Sequence, residues 1–154
     1  MQDGTTPTAN RIVLHVMRGV AVGQNRLSGR KVLVVDDNSP SRELLTLLFR
    51  AAGAEVTEAA NGVEAVDKCG ADDFDLVLMD VQMPVMDGLE ATTAIRADES
   101  RSADRPQPLI VAVTAHAMGE AVRSCLAAGM DAVITKPIDP GTVVADVIRL
   151  LEER

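Results

Sequence analysis

Five polar residues stand at the ends of predicted strands, and together they suit the transfer of a phosphoryl group. Asp36 and Asp37 follow one strand, Asp80 another, and Thr114 and Lys136 two later ones. Three converging carboxylates repel one another, and Mg²⁺, a hard cation that prefers oxygen ligands, relieves that repulsion. The Asp80 carboxylate could then attack phosphorus, while Lys136 and Thr114 supply a positive charge and a hydroxyl for the phosphoryl oxygens.

Taken singly, each of these residues has an ordinary structural explanation. Aspartates after a strand often form Asx turns or helix caps, a threonine commonly ends a strand, and a lysine is usually solvated. The functional interpretation rests on their joint occurrence, in the order and at the positions that one reaction requires.

The elements that must position these residues are five strands alternating with five helices. Apolar runs and alternating patterns predict strands at residues 31–35, 55–59, 74–79, 109–113 and 131–135. Periodicity and caps predict helices at residues 39–52, 61–70, 89–97, 116–128 and 140–152. This alternation requires right-handed crossovers and a parallel sheet. We therefore predict an α/β, flavodoxin-like, doubly wound sheet of order 2-1-3-4-5, whose strand ends bring the polar residues to one edge.

One folded domain fits a chain of 154 residues, of which 47% are hydrophobic and 25% charged. We predict that it covers residues 30–154, after a partly disordered leader at residues 1–29. The leader holds three arginines against one aspartate, so it is either a linker or expression remnant, or a basic arm that contacts a partner. The net charge of −8 argues against nucleic-acid binding by this domain.

The sequence shows no signal peptide, and its most apolar early run, residues 12–22, is interrupted by His15 and Arg18. Cys69 and Cys125 lack the spacing of a metal site and fit reduced thiols. We therefore expect a cytoplasmic protein without direct membrane contact, and we favour a monomer.

Four motifs match those of a known family in order and spacing, namely Val34–Asn38, Met79–Gly88, Thr114–Ala115 and Lys136–Pro137. From about residue 30 to residue 153, the chain resembles the receiver domain of bacterial two-component response regulators. The resemblance implies that Asp80 accepts a phosphoryl group from a histidine kinase or a histidine phosphotransfer protein.

The resemblance also implies roles for the residues around the acceptor. The implied Mg²⁺ ligands are Asp37, Asp80 and the backbone carbonyl of Gln82, with Asp36 acting through water. Thr114 and Lys136 would bind the phosphoryl group, and a cis peptide would join Lys136 to Pro137.

The amino-acid sequences of the motifs around Asp80 and Thr114 are most similar to those of receivers attached to hybrid sensor histidine kinases. This subtype implies a relay that passes the phosphate to another histidine, on a histidine phosphotransfer partner. The domain would be no enzyme in itself, although it would assist its own phosphorylation and dephosphorylation. The alternative is a stand-alone response regulator that binds other proteins when phosphorylated. In either case the helix at residues 39–52 borders the acceptor and could dock a partner helix.

One position departs from the family pattern. Many receivers carry Tyr or Phe three residues before the lysine, where this chain has Val133. The coupled swing of an aromatic ring is therefore not expected here. Gln82 and His116 flank the acceptor and would tune the lifetime of its phosphate.

A phosphatase of the haloacid dehalogenase type is the main alternative from another class. Such enzymes use an aspartate nucleophile and need a second carboxylate two residues later as a general acid. Asn38 and Gln82 stand at those positions after Asp36 and Asp80. Turnover of external phosphate esters is therefore not expected.

Overall fold

The computed structural model describes residues 25–98 and 105–154. Within them, five strands form one parallel sheet in the predicted order β2-β1-β3-β4-β5. The strands are Lys31–Val35 (β1), Glu55–Ala59 (β2), Leu76–Asp80 (β3), Leu109–Thr114 (β4) and Ala132–Thr135 (β5). The helices are Ser39–Ala51 (α1), Gly62–Ala71 (α2), Gly88–Arg96 (α3), Glu120–Ala128 (α4) and Val143–Glu152 (α5).

The central strands β1, β3 and β4 are almost wholly buried because helices cover both faces of the sheet. Alternate residues of each strand enter opposite cores, as Val34 and Val35 do. On one face α1 and α5 pack on the sheet, and on the other face α2, α3 and α4 do. Because the strands are parallel, their carboxyl ends all lie at one edge of the domain.

Short turns at that edge are fixed by helix caps. Asn38 accepts a hydrogen bond from the Ser41 N–H at the start of α1, at 3.0 Å. At the start of α3, Asp87 and Glu90 form a reciprocal capping box. Gly88 is required there because a Cβ atom would lie 2.2 Å from the Asp80 carbonyl oxygen. The loop after β3 is therefore held close against the main chain of Asp80.

Two helices begin later than the sequence predicts. Helix α4 begins at Glu120 rather than at residue 116, because Gly119 adopts a φ of 51° and offers no side-chain cap. His116 consequently lies in an exposed loop. Helix α5 begins at Val143 rather than at residue 140, after a turn in which the Asp139 side chain accepts the Gly141 N–H at 2.9 Å.

Packing extends to the amino-terminal side of the predicted domain boundary. Leu27 is only 1% exposed and belongs to the core between the sheet and α1. Its N–H donates to the Ala52 carbonyl oxygen at 3.0 Å, and Arg26 forms an exposed ion pair with Glu152. The rest of the predicted leader, residues 1–24, lies outside the described residues.

None of the helices in the described ranges combines the length and apolar character needed to cross a membrane. Cys69 and Cys125 are both buried and are not joined by a disulfide.

Replacing Leu27 with alanine should lower the free energy of unfolding by about 2–4 kcal/mol, because it leaves a cavity under α1. Urea denaturation followed by far-ultraviolet circular dichroism measures this, since the chain has no Trp or Tyr. Leu126→Ala is the matched control, because Leu126 is 50% exposed and its loss should change stability by about 0.5 kcal/mol or less. Equal losses in the two variants would show that Leu27 is not part of the core.

Candidate functional site

Three carboxylates meet at the carboxyl edge of the sheet. Asp36 and Asp37 follow β1, Asp80 ends β3, and these strands are neighbours, with Val35 paired to Met79. One oxygen from each side chain lies within 4.8 Å of the others. Asp36 and Asp80 are only 1% and 6% exposed, whereas Asp37 is exposed. The structure thus brings together all three residues that the sequence predicts to converge.

Lys136 reaches into this acidic cluster from the end of β5. Its Nζ lies 3.2 Å from Asp36 Oδ2 and 3.4 Å from Asp80 Oδ1. Burial lowers the pKa of Lys136, but the charges of the two aspartates outweigh that effect, so its pKa is raised and it is held as a cation. The peptide between Lys136 and Pro137 is cis, as the family resemblance implies.

One lysine does not neutralise this cluster. Burial raises the pKa of Asp80, and the negative charge of Asp36 raises it further. Lys136 opposes both effects, yet the pKa of Asp80 still stands at about 6 rather than 3.8. The carboxylates therefore carry unbalanced negative charge at neutral pH. A set of oxygen ligands with that excess charge fits a divalent cation such as Mg²⁺.

Thr114 stands at the end of β4, beside the acidic cluster. It is one residue beyond Val113, the strand partner of Asp80. The side chain is 3% exposed, and its Oγ1 accepts a hydrogen bond from the His116 N–H at 3.1 Å. A hydroxyl that accepts one bond still has its own proton to donate. The geometry therefore allows Thr114 to donate to an anion above the strand ends.

The loop after Asp80 is the remaining wall of the site. The Gly88 N–H donates to the Val81 carbonyl oxygen at 2.8 Å and closes the loop on itself. Within it, Val85 has a φ of 72° and is 85% exposed, at the centre of a tight γ-turn. Gln82 is exposed, two residues beyond Asp80. Its backbone carbonyl as a metal ligand stays a prediction.

Arg42, in the first turns of α1, is a residue of this site that the sequence did not single out. Its guanidinium donates to the Asp36 carbonyl oxygen at 2.7 Å and to Glu58 at 2.9 Å. A signal was present in the sequence, because a cation near the amino terminus of a helix opposes the helix dipole. The first turn of α1 also contains no acid. A cation at this position of a helix therefore indicates a contact outside the helix.

Val133 occupies the position where many receivers have an aromatic residue. It pairs with Ala112 of β4 and is half-buried against the core on the face of α2, α3 and α4. The side chain that stands three residues before Lys136 is therefore a short aliphatic one.

Sequence comparisons relate the chain to sensor kinases. The family model of the response regulator receiver domain matches residues 32–148. Sensor protein GacS of Pseudomonas syringae pv. syringae is 51% identical over 108 residues, which are 70% of this chain and 12% of GacS. Hybrid signal transduction histidine kinase I of Dictyostelium discoideum is 38% identical over 127 residues, covering 79% of this chain and 7% of the relative. The chain thus spans a small part of the length of these relatives.

Solved structures share the fold. The receiver domain of sensor histidine kinase PA1611 from Pseudomonas aeruginosa PAO1, which holds a magnesium ion in its active-site cleft, is 34% identical with a TM-score of 0.68. That match covers 82% of this chain and 97% of the other. The chemotaxis protein CheY4 of Vibrio cholerae is 32% identical with a TM-score of 0.71, covering 78% and 97%. These likenesses confirm the predicted flavodoxin-like fold.

The charge imbalance predicts that Asp80→Asn stabilises the metal-free protein. Because the native pKa of Asp80 is about 6 and its ordinary value is 3.8, the native state binds more protons between those values. Stability therefore falls as pH rises through this window, and the cost persists above it. At pH 7 in EDTA, Asp80→Asn should raise the free energy of unfolding by about 1–2 kcal/mol.

Urea denaturation between pH 4 and pH 7 measures this effect, with the exposed Asp67→Asn as the control. Adding Mg²⁺ should stabilise the native protein and leave Asp80→Asn almost unchanged. A less stable Asp80→Asn variant at pH 7 in EDTA would contradict the unbalanced charge.

Proposed function

The chain belongs to the response regulator receiver domain family of two-component signalling, and on that premise we propose that Asp80 is its phosphoacceptor. The main support for the proposal is the environment of the Asp80 carboxylate. Asp80 is buried at the end of β3, with Lys136 Nζ at 3.4 Å and two further carboxylates beside it. A nucleophilic carboxylate with adjacent cationic and hydroxyl groups suits phosphoryl transfer.

In the proposed reaction, an Asp80 oxygen forms a bond to phosphorus as the bond between phosphorus and the histidine nitrogen of the donor breaks. Lys136 and Thr114 bind the phosphoryl oxygens. Mg²⁺, when bound, neutralises charge on the phosphoryl group and on the carboxylates. The residues that would hold it are Asp36, Asp37, Asp80 and the backbone carbonyl of Gln82. The domain assists its own phosphorylation and dephosphorylation, without turning over an external substrate.

We further propose that the domain relays its phosphate within a hybrid kinase system, to a histidine phosphotransfer partner. The similarity to receiver segments of sensor kinases supports this subtype. Helix α1 borders the acceptor and exposes 40% of Leu47, which offers an apolar contact for a partner helix. Val133 also fits, because a relay requires less of a switch than a transcriptional output does. The part of the predicted leader that lies outside the described residues, residues 1–24, is proposed to be a linker.

Three further properties of the domain are proposed. The net charge of −8 disfavours nucleic-acid binding by the domain. Two cysteines without the spacing of a metal site fit reduced thiols, and we propose a cytoplasmic setting. A monomer is proposed as the working state.

Incubation with acetyl phosphate and Mg²⁺ should add one phosphoryl group to the native chain. Intact-mass spectrometry detects the adduct, which should be absent from Asp80→Asn and from native protein in EDTA. Lys136→Ala should form the adduct more slowly, because it removes the cation that lies 3.4 Å from Asp80 Oδ1. It should also lower the free energy of unfolding, because the 25% exposed lysine pairs with two buried carboxylates. The exposed Asp67→Asn serves as the matched control and should react as the native chain does. A native chain that forms no adduct would refute the proposal.

Transfer from a labelled histidine kinase to the chain, and then to isolated histidine phosphotransfer domains, tests the relay. The label should leave the native chain when a cognate phosphotransfer domain is added. Leu47→Glu should slow this transfer several-fold without changing the rate with acetyl phosphate, because only the protein partner contacts α1. Leu126→Glu, on α4, is the matched control. A label that stays on the chain with every phosphotransfer domain would favour the stand-alone regulator instead.

A further inference from the structure

No other described residue holds the carboxylate of Asp37 by a hydrogen bond or an ion pair. This carboxylate is exposed at the edge of the sheet. The buried Asp36, by contrast, is held at both oxygens, by the Asn38 N–H at 2.8 Å and by Lys136 at 3.2 Å. The direction of the Asp37 side chain therefore depends on the peptide that joins it to Asp36.

That peptide is fixed by Arg42. Its Nη1 donates to the Asp36 carbonyl oxygen at 2.7 Å, a short bond from a charged donor. The Asp36 N–H donates to the Ala59 carbonyl oxygen of β2 at 3.2 Å, which holds the other side of the residue. The Arg42 N–H itself donates to the Asn38 carbonyl oxygen at 3.0 Å, in the first turn of α1. Arg42 thus closes the loop that contains Asp37.

The guanidinium is itself held in one orientation. Its Nε donates to Glu58 Oε1 at 2.9 Å, and the Arg42 side chain is only 19% exposed. Glu58 lies on β2, opposite Val34 of β1, and its carbonyl oxygen accepts a bond from Lys68 of α2. A planar guanidinium can make both bonds at once in fixed directions, whereas a lysine ammonium cannot reproduce that fork.

We propose that Arg42 is a positioning residue for the metal site, acting through the Asp36 carbonyl to aim the Asp37 carboxylate. The inference rests on the proposed function, since it takes the Mg²⁺ site of the three aspartates as its object. Holding this carbonyl also keeps its oxygen turned towards α1. Residues one step removed from a metal commonly change its affinity 10–100-fold, because they orient the ligands.

Arg50 offers a matched control on the same helix. Its guanidinium donates to the Val56 carbonyl oxygen of β2 at 3.3 Å, so it also ties α1 to that strand. Val56 lies nearer the start of β2 than Glu58 does, away from the acidic cluster. Loss of either arginine removes a tie between α1 and β2, but only the loss of Arg42 should change the positions of the metal ligands.

Mg²⁺ titrations of the native protein, Arg42→Ala, Arg42→Lys and Arg50→Ala test this, by calorimetry and by amide NMR shifts of residues 36–38. Arg42→Ala should weaken Mg²⁺ affinity about tenfold, Arg42→Lys should recover only part of the loss, and Arg50→Ala should bind as the native protein does. The urea midpoint should fall in both alanine variants, and further in Arg42→Ala, which loses two hydrogen bonds where Arg50→Ala loses one. With acetyl phosphate, Arg42→Ala should need more Mg²⁺ for its half-maximal rate but keep its rate at saturating Mg²⁺.

Native affinity in the Arg42 variants, or an equal loss in Arg50→Ala, would overturn the inference while leaving the phosphoacceptor intact. A native protein that binds no Mg²⁺ would instead contradict the proposed function itself. If Arg42→Ala does not fold, Arg42→Lys decides, because it keeps the charge and loses the fork.

Discussion

Repulsion among three carboxylates at one edge of a parallel sheet is the constraint on which this structure depends. Asp36 and Asp80 are buried there, and a single lysine lies within 3.4 Å of both. Buried charges without full compensation are costly, so the surrounding structure must hold them in place. The same excess of negative charge would favour the divalent cation that is proposed to bind there.

The rest of the domain is the scaffold that holds the three carboxylates and Lys136 close together. Parallel strands carry their ends to one edge, and two cores keep the central strands rigid. Caps at the starts of α1, α2 and α3 shorten the turns that follow the strands. Gly88 lets the loop pass directly over the Asp80 carbonyl. Each of these features acts on the acidic cluster through the backbone.

The features that depend on periodicity, such as strand order, could be predicted from the sequence. The features that depend on individual contacts, such as the role of Arg42, could not. Strand order and the convergence of Asp36, Asp80 and Lys136 followed from alternation, because strand ends must meet. The predicted start of α4 was wrong, because helical periodicity does not show that Gly119 interrupts the first predicted turn. Arg42 was missed because its unfavourable place near the start of α1 does not by itself show that it donates to the Asp36 carbonyl oxygen.

Leu27 sets the limits within which this domain can be joined to other modules. Its side chain belongs to the core, and its neighbour Arg26 reaches Glu152 of the last helix. The two ends of the folded unit are therefore packed near each other. A fusion that joined foreign sequence directly to β1 would remove Arg26 and Leu27, which pack on the folded domain. The folded unit therefore begins a few residues before β1. A recombined gene that keeps the domain intact must include those residues.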